Sequence, residues 1–428
     1  MKKLYKTFKE QIFTLSNTFL FKNASYLIAT QGVVTILGLL FWVIAARFYP
    51  SKEVGLGSAL IAAIMLIPIL SGLGFETGIV RFLPDEADKS GMVNTCLSIT
   101  ILSSLAIASI LIITLPIWSP SLLCIYDNKL LIFTFLLFAV TSALLHMQRG
   151  VFQAYRNTKY IFIQDASFSI AKLILVIFLT AFGAWGIFFA SGIGSFIALA
   201  ISIIFLIRDF NHRLTFTIER EMVKKMFNFS VGNHIGWAIG ALPPQILPLM
   251  VIGLLGADMT AYFRIAWSVS AIIMTVVGNI CASLFIEGSY EEEKLRTNVI
   301  TASKFIFGFI IPTVIALLIF ADKVLLLFGQ AYSQNATDLL RLLVIGSIIT
   351  PIPSVYLTIK RVQKQIKTII YISLIGTILT LALSYILMIN MGLIGIGIGW
   401  LGAQICIALI IGGLVMGKEK WIKTSMLH

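Results

Sequence analysis

Three basic residues lie inside long apolar runs, where a charge is costly unless it faces a cavity or a partner. Lys172 lies about twelve residues into one such run, roughly 18 Å along a helix and near its middle. Arg264 and Arg341 lie closer to the ends of their runs, and both could extend their side chains to an aqueous interface. Lys172 could not easily do so, which makes it the strongest candidate for lining a cavity.

Basic side chains in such positions suit an anionic ligand. Arginine can pair bidentately with a phosphate or diphosphate, and lysine supplies a point charge. Arg47, which ends the first apolar run, completes a predicted substrate-binding set with Lys172, Arg264 and Arg341. A transporter of organic cations would instead need a carboxylate deep in a helix. The apolar runs at residues 24–47 and 227–254, which begin the two halves of the chain, contain none.

Glu76, Arg81 and Asp165 form a second candidate set, with coupling or gating as their functional interpretation. Arg81 is better explained as an interfacial anchor, and Asp165 is better explained as a solvated helix end. Glu76 is harder to dismiss because it lies in the apolar run LSGLGFETGIVRFL. His146 and His234 fit buried imidazoles better than a proton relay.

The sequence contains no constellation typical of an enzyme or a metal site. Its four cysteines are scattered without metal-ligand spacing, and no GxxxxGK[ST] phosphate loop is present. An enzyme embedded in the membrane would display a large outside loop or acidic catalytic motifs, and the sequence shows neither. We therefore predict no catalytic residue, no metal and no cofactor.

The elements that position these residues must be transmembrane helices. Of the 428 residues, 58% are hydrophobic and 12% are charged, whereas soluble domains carry about 25% charged residues. A net charge of +13 could indicate nucleic acid, but basic cytoplasmic loops of a membrane protein explain it better. We expect an all-α integral membrane protein with no nucleic-acid partner.

Twelve apolar runs are long enough to span a bilayer, which requires about 20 residues. They cover residues 24–47, 57–80, 93–117, 130–149, 160–182, 185–207, 227–254, 258–286, 302–320, 338–359, 366–389 and 393–416. Two long stretches are divided by predicted turns at Gly183 and at Asn390-Met391-Gly392. With both termini inside, only Arg47, Lys52, Lys129 and Lys323 of the loop cations lie outside, which supports this topology in an inner (plasma) membrane.

The two halves of the chain resemble each other. Residues 183–209 resemble residues 392–419, because each segment is a short turn, then a glycine-rich helix, then a charged end. Residues 149–160 likewise resemble residues 359–370. Six helices followed by six in the same orientation indicate a parallel internal repeat. The predicted organisation is a basic cytoplasmic arm at 1–23, a six-helix bundle at 24–207, a cytoplasmic linker at 208–226, a second bundle at 227–416 and a cytoplasmic tail at 417–428.

Residues 23–84, from NASYLIATQGVV to GIVRFLP, resemble the first two helices of polysaccharide and O-antigen export flippases, and FGQAYSQNATDLLRLL at 328–343 resembles the stretch before their tenth helix. These proteins belong to the multidrug/oligosaccharidyl-lipid/polysaccharide exporter superfamily. The resemblance implies two six-helix bundles in a V around a central, cationic cavity.

The resemblance also implies a substrate and partners. The substrate would be an isoprenoid-diphosphate-linked oligosaccharide, turned from the cytoplasmic to the outer leaflet by alternating access. Membrane lipid and other polysaccharide-assembly proteins would be the partners. A multidrug or organic-cation antiporter of the same superfamily is the alternative.

Overall fold

The computed structural model describes residues 19–290 and 292–418, and almost all of these residues are helical. The helices are α1 Phe19–Phe48, α2 Ser51–Ser71, α3 Phe75–Phe82, α4 Lys89–Ile113, α5 Leu115–Trp118, α6 Lys129–Ala154, α7 Thr158–Phe178, α8 Ala184–Asp209, α9 Arg220–Ala241, α10 Pro243–Leu254, α11 Ala257–Tyr290, α12 Leu295–Leu326, α13 Gln330–Gly346, α14 Pro351–Val362 and α15 Ile366–Lys418. The basic arm before residue 19 and the tail after residue 418 lie outside the described residues.

The helices account for all twelve predicted spans. Ten are long and apolar enough to cross a membrane, and α13 with α14, bent by 42°, is long and apolar enough when the two helices are taken together. α15 has 53 residues, about 80 Å of helix, which exceeds twice the roughly 30 Å hydrocarbon core. It is broken at Gly392, where φ is 59°, so it is long enough for two spans. The predicted all-α fold is confirmed.

Positive backbone φ angles mark the turns between consecutive spans. Gly183 has a φ of 54° between α7 and α8, which places that turn where the sequence predicted it. The second span differs from its prediction: it begins at Ser51 rather than 57, and it breaks at Leu73 and Gly74, with φ values of 47° and 77°. Glycine adopts such angles readily, and this break separates α3 from α2.

The same helix pairs pack in both halves of the chain. α1 packs on α7 as α9 packs on α15, and α2 packs on α6 as α11 packs on α13. The pairs α4–α6 and α12–α13 also correspond. This shared packing is what a parallel repeat predicts. We call helices α1–α8 the first bundle and helices α9–α15 the second bundle.

Contacts between the bundles run through a small set of helices. α2 packs on α10 and α11, α3 packs on α9, and α1 touches α11. The largest buried apolar cluster crosses this boundary, with Trp42 and Val54 from the first bundle and Phe263 and Val269 from the second. The candidate site lies at this boundary.

Candidate functional site

Lys172 on α7 lies between two aromatic rings. Its ammonium is 4.6 Å from the Phe168 ring centroid, one turn earlier on the same helix, and 5.1 Å from the Phe41 ring on α1. Among the described side chains, no carboxylate lies within ion-pair distance of Lys172. The aromatic faces attract the cation but leave its N–H donors unused.

Arg264, on α11 of the second bundle, also contacts α1. Its guanidinium carbon lies 4.7 Å from the Trp42 ring centroid on α1. The Nε atom is buried and has no hydrogen-bond partner, and within the described part of the chain the guanidinium has no carboxylate partner. The Phe41 and Trp42 ring centroids are 5.1 Å apart, so Lys172 and Arg264 contact neighbouring rings of α1.

The two cations occupy a similar depth in their helices. Lys172 precedes the end of α7 at Phe178 by six residues, and Arg264 follows the start of α11 at Ala257 by seven. These offsets correspond to about 9 and 10 Å along the helix axes. Lys172 therefore lies nearer that end of α7 than the predicted mid-point, because α7 ends at Phe178 instead of 182.

An anion placed between Lys172 and Arg264 would relieve two unfavourable features. It would separate two like charges in an apolar setting, and it would accept from N–H groups that now lack partners. Charge-assisted hydrogen bonds of this type contribute about 1.5–3 kcal/mol each. We call Lys172 and Arg264, with the rings of Phe41 and Trp42, the basic pair site.

Arg47 and Arg341, the other predicted ligand-binding residues, lie apart from the basic pair site. Arg47 donates from Nε and Nη2 to the carbonyl oxygens of Leu327 and Leu326, at 2.8 and 2.7 Å. Arg341 lies 3.5 Å from Asp338 in an exposed ion pair. The structure thus brings together two of the four predicted residues.

Arg47 belongs to a set of contacts that join the bundles at one end, here called the Arg47 end. The Ser51 hydroxyl donates to the Asp258 carboxylate across the boundary. Gly55 allows close approach, since a Cβ atom there would lie 1.7 Å from the Ala257 carbonyl oxygen. Arg47 also places its charge at the carboxyl end of α12, where unpaired carbonyls and the helix dipole favour a cation.

The opposite end, here called the Lys225 end, is also bridged. The Lys225 ammonium on α9 lies 2.7 Å from the Glu86 carboxylate of the first bundle. Its hydrogen bond and charge hold the pKa of Glu86 below its ordinary value. Gly74 and Gly78 lie directly against Ser230, whose backbone or hydroxyl oxygen would be 2.1 or 2.2 Å from an added Cβ.

Glu76 lines a cavity of about 210 Å³ near the Lys225 end. His146 Nδ1 lies 2.9 Å from the Glu76 carboxylate, and His234 Nε2 lies 2.8 Å from the Ile69 carbonyl oxygen. The Trp237 ring lies between the imidazoles, 5.4 Å from His146 and 5.5 Å from His234. Sequence reasoning treated the two histidines separately because no local spacing links residues on three different helices.

Asp165 and Arg81 complete the predicted coupling set. Asp165 is 9% exposed and accepts a 2.6 Å hydrogen bond from Arg149, so the interpretation as a solvated helix end is wrong. The sequence could have predicted this ion pair, since Arg149 and Asp165 lie on either side of the short turn between α6 and α7. Arg81 is exposed on α3, in keeping with an interfacial anchor, and lies outside the Glu76 cavity.

Comparison with known proteins adds family information to this geometry. The sequence model of the family described as "Polysaccharide biosynthesis protein" matches residues 20–286, more than half of the chain. The MatE family matches residues 244–386. No curated protein shows significant similarity to the chain.

Several solved structures share the fold. The lipid II flippase MurJ, in an inward closed conformation, is 16% identical with a TM-score of 0.73 over 93% of this chain and 88% of its own. A multidrug resistance MATE family transporter, in an inward-facing conformation, is 18% identical with a TM-score of 0.67 over 92% and 100%. A MOP superfamily transporter from Pyrococcus furiosus is 15% identical with a TM-score of 0.65 over 94% and 96%.

Proposed function

This chain belongs to the polysaccharide biosynthesis protein family, and we propose that it is a flippase for an isoprenoid-diphosphate-linked oligosaccharide. The observation that carries the proposal is the basic pair site, where Lys172 and Arg264 meet without a carboxylate partner among the described residues. A diphosphate supplies the negative charge and the acceptor oxygens that this site lacks. The isoprenoid chain would remain in the bilayer.

Translocation from the cytoplasmic to the outer leaflet would alternate the opening of the two ends. Opening the Arg47 end breaks the hydrogen bonds of Arg47 and Ser51 to the second bundle. Opening the Lys225 end breaks the Lys225–Glu86 ion pair and separates Gly74 from Ser230. These polar contacts lie at the two ends, and opening either end would also separate apolar side chains of the two bundles that pack across the boundary. The site then faces one leaflet at a time.

Location and partners follow from this role. The protein would lie in the inner (plasma) membrane with both termini in the cytoplasm, because the loop cations favour that orientation. The Lys225 end would then face the cytoplasm, and other polysaccharide-assembly proteins would supply and consume the substrate. Its chemistry is binding and movement, so we propose no catalytic residue and no cofactor.

An organic-cation antiporter is the alternative, and Glu76 is the residue that favours it. Its carboxylate lines a cavity and lies outside the basic pair site. However, the carboxylate is already paired with His146 at 2.9 Å, and a cationic drug would meet Lys172 and Arg264 at the boundary between the bundles. Electrostatic repulsion there disfavours a cation.

Complementation tests the proposal. Deletion of the gene should abolish a surface polysaccharide and cause lipid-linked repeat units to accumulate on the cytoplasmic side. Wild type and Lys172→Arg should restore export, whereas Lys172→Gln and Arg264→Gln should not. Lys159→Gln, which removes an exposed cation from the same helix, is the matched control. Full export by a Lys172→Gln, Arg264→Gln double variant would refute the role of the site, and altered drug sensitivity with normal glycan would favour the antiporter.

A further inference from the structure

The connection between the two bundles presents an exposed apolar face. Residues 211–219, here called the linker segment, form neither helix nor strand. Leu214, Phe216 and Ile218 alternate in this segment with Thr215 and Thr217. The three apolar residues are 43%, 64% and 46% exposed, respectively. Contiguous exposed apolar surface of this kind marks a contact with lipid or with another protein.

Hydrogen bonds determine which side of the linker segment faces the protein. Asn94 on α4 donates from Nδ2 to the Thr215 hydroxyl and to the Arg213 carbonyl oxygen, both at 2.8 Å. The Thr217 hydroxyl lies 3.5 Å from that of Thr215, so the two threonines share one side. Successive side chains alternate between opposite sides of an extended segment. The three apolar side chains therefore point away from α4.

Two further contacts hold the linker segment in place. His212 is 2% exposed, and its Nε2 atom lies 2.9 Å from the side-chain oxygen of Asn94. The backbone N–H of Glu219 donates to the Thr95 hydroxyl at 3.1 Å. The segment is thus bonded to a single turn of α4 near both of its ends, and its outward apolar face is a fixed feature of the fold.

The contact with α4 places the linker segment at the edge of the bilayer. Asn94 and Thr95 follow the start of α4 at Lys89 by five and six residues, about 8 Å along the helix. α4 has 25 residues, roughly 37 Å, and so exceeds the hydrocarbon core of about 30 Å by a few ångströms at each end. Asn94 then lies close to the boundary between lipid headgroups and acyl chains. Further along α4, the exposed Leu102 and Leu105 continue the apolar surface.

The charges of the linker segment are also sorted by side. Arg213 within the segment and Arg220 directly after it are exposed, and neither side chain pairs with another described residue. The carboxylate of Glu219 instead faces the protein, since its Oε1 atom would lie 2.5 Å from a Cβ added at Gly91 on α4. Apolar residues flanked by unpaired cations are typical of segments that lie on anionic membranes.

We propose that the linker segment is an interfacial anchor that binds anionic lipids of the adjoining leaflet. Leu214, Phe216 and Ile218 would insert between the headgroups, while Arg213 and Arg220 pair with lipid phosphates. Lipid is favoured over a protein partner because the segment lies at headgroup depth and adjoins the exposed apolar surface of α4. The inference does not depend on the transported substrate. It adds a contact that ties the start of α9 to the membrane.

An environment-sensitive fluorophore on the full chain in lipid nanodiscs tests this inference. A nitrobenzoxadiazole label would be attached at Phe216→Cys after the four native cysteines are replaced with alanine. We expect lipids that carry a nitroxide near the headgroup to quench the label, and aqueous iodide to leave it unquenched. Ile218→Cys, on the same face, gives a second measurement if the first label disturbs folding.

Two other positions calibrate the quenching. A label at Phe196→Cys, exposed near the middle of α8, should be quenched by nitroxides deep in the acyl chains. A label at Lys224→Cys, exposed on α9, should be quenched by iodide. If iodide quenches labels at Phe216 and Ile218 as strongly as the label at Lys224, the anchor is overturned and the apolar face is open to a protein partner.

The anionic character of the lipid has a test of its own. Replacing Arg213 and Arg220 with glutamine should lower the ratio of membrane-inserted to water-exposed label at Phe216 by up to about thirtyfold in phosphatidylglycerol nanodiscs, as the loss of two interfacial cations allows. The ratio in phosphatidylcholine should not change. Lys52→Gln with Lys129→Gln, which removes two exposed cations of the outer side, is the matched control. Equal behaviour of the two double variants in phosphatidylglycerol would overturn the assignment to anionic lipid.

Discussion

Lys172 and Arg264 come from opposite bundles, and their cationic groups contact the consecutive α1 residues Phe41 and Trp42. Because α1 and α7 belong to the same bundle, the Lys172 contact can persist when the bundles separate. The Arg264–Trp42 contact crosses the boundary and must be broken or remodelled. Under the proposed function, occupation of the site by a diphosphate would therefore be linked to how the bundles dock.

Replacing Trp42 with leucine should weaken diphosphate binding without removing a charge. The Trp42 ring holds the Arg264 guanidinium at 4.7 Å, and such cation–π contacts contribute about 0.5–2 kcal/mol. We expect the affinity for a farnesyl methyl diphosphate diester to fall by about two- to thirtyfold. Calorimetric titration would measure it. Trp42→Phe keeps an aromatic face and should restore most of the affinity; equal losses in both variants would contradict the stacking role.

Adding a methyl group at Gly55 should open the Arg47 end. The Cβ of Gly55→Ala would lie 1.7 Å from the Ala257 carbonyl oxygen, a distance that forces α2 and α11 apart. Spin labels at the exposed positions Lys52 and Leu327 would report a longer distance between the bundles by pulsed electron resonance. Gly38→Ala, where nothing lies within 4 Å of the added atom, should leave the distance unchanged. An unaltered distance in Gly55→Ala would show that this contact does not hold the end closed.

Acidification should loosen the Lys225 end. The Lys225 ammonium lowers the pKa of Glu86 in the closed state, and opening would return that pKa towards its ordinary value of 4.5. Because the pKa of Glu86 is lower in the closed state than in the open state, the ion pair stabilises closure fully at pH values above the open-state pKa. This stabilisation is lost as the pH falls through the closed-state pKa. The distance between spin labels at Asp85 and Lys224 should therefore increase as the pH falls below about 4.5. Glu86→Gln should be open to the same degree at every pH; a pH response that survives this change would assign the titration to another group.

Glu76 is proposed to couple transport to a proton gradient. Its carboxylate shares the cavity with His146 and His234, while the nearby Asp165 is bonded to Arg149. Glu76→Gln removes the carboxylate that lies 2.9 Å from His146 Nδ1 and should abolish stimulation of flipping by an imposed gradient in proteoliposomes. Diester binding at the basic pair site should be unchanged. Arg81→Gln, an exposed change on the same helix, is the control, and gradient-dependent flipping by Glu76→Gln would refute the coupling role.

Local composition was sufficient to predict the class of protein, the twelve spans and the duplication. Each of these depends on local composition: apolar runs of membrane-spanning length, glycine at the turns near 183 and 392, and loop cations that favour one orientation. It also identified Lys172 and Arg264, because the cost of a charge in an apolar run depends on its immediate neighbours. Such features are readable without knowing which helices touch.

How these residues combine became visible only in the packed arrangement of the helices. It placed Lys172 and Arg264 against Phe41 and Trp42, and assigned Arg47 to a contact with the end of α12. It also joined Glu76 to His146 and docked the linker segment on α4. These contacts link residues that are distant in the chain, and helical periodicity fixes only the face on which a side chain lies. Which faces meet depends on the packing of whole helices, so a polar residue's partner cannot be read from its own segment.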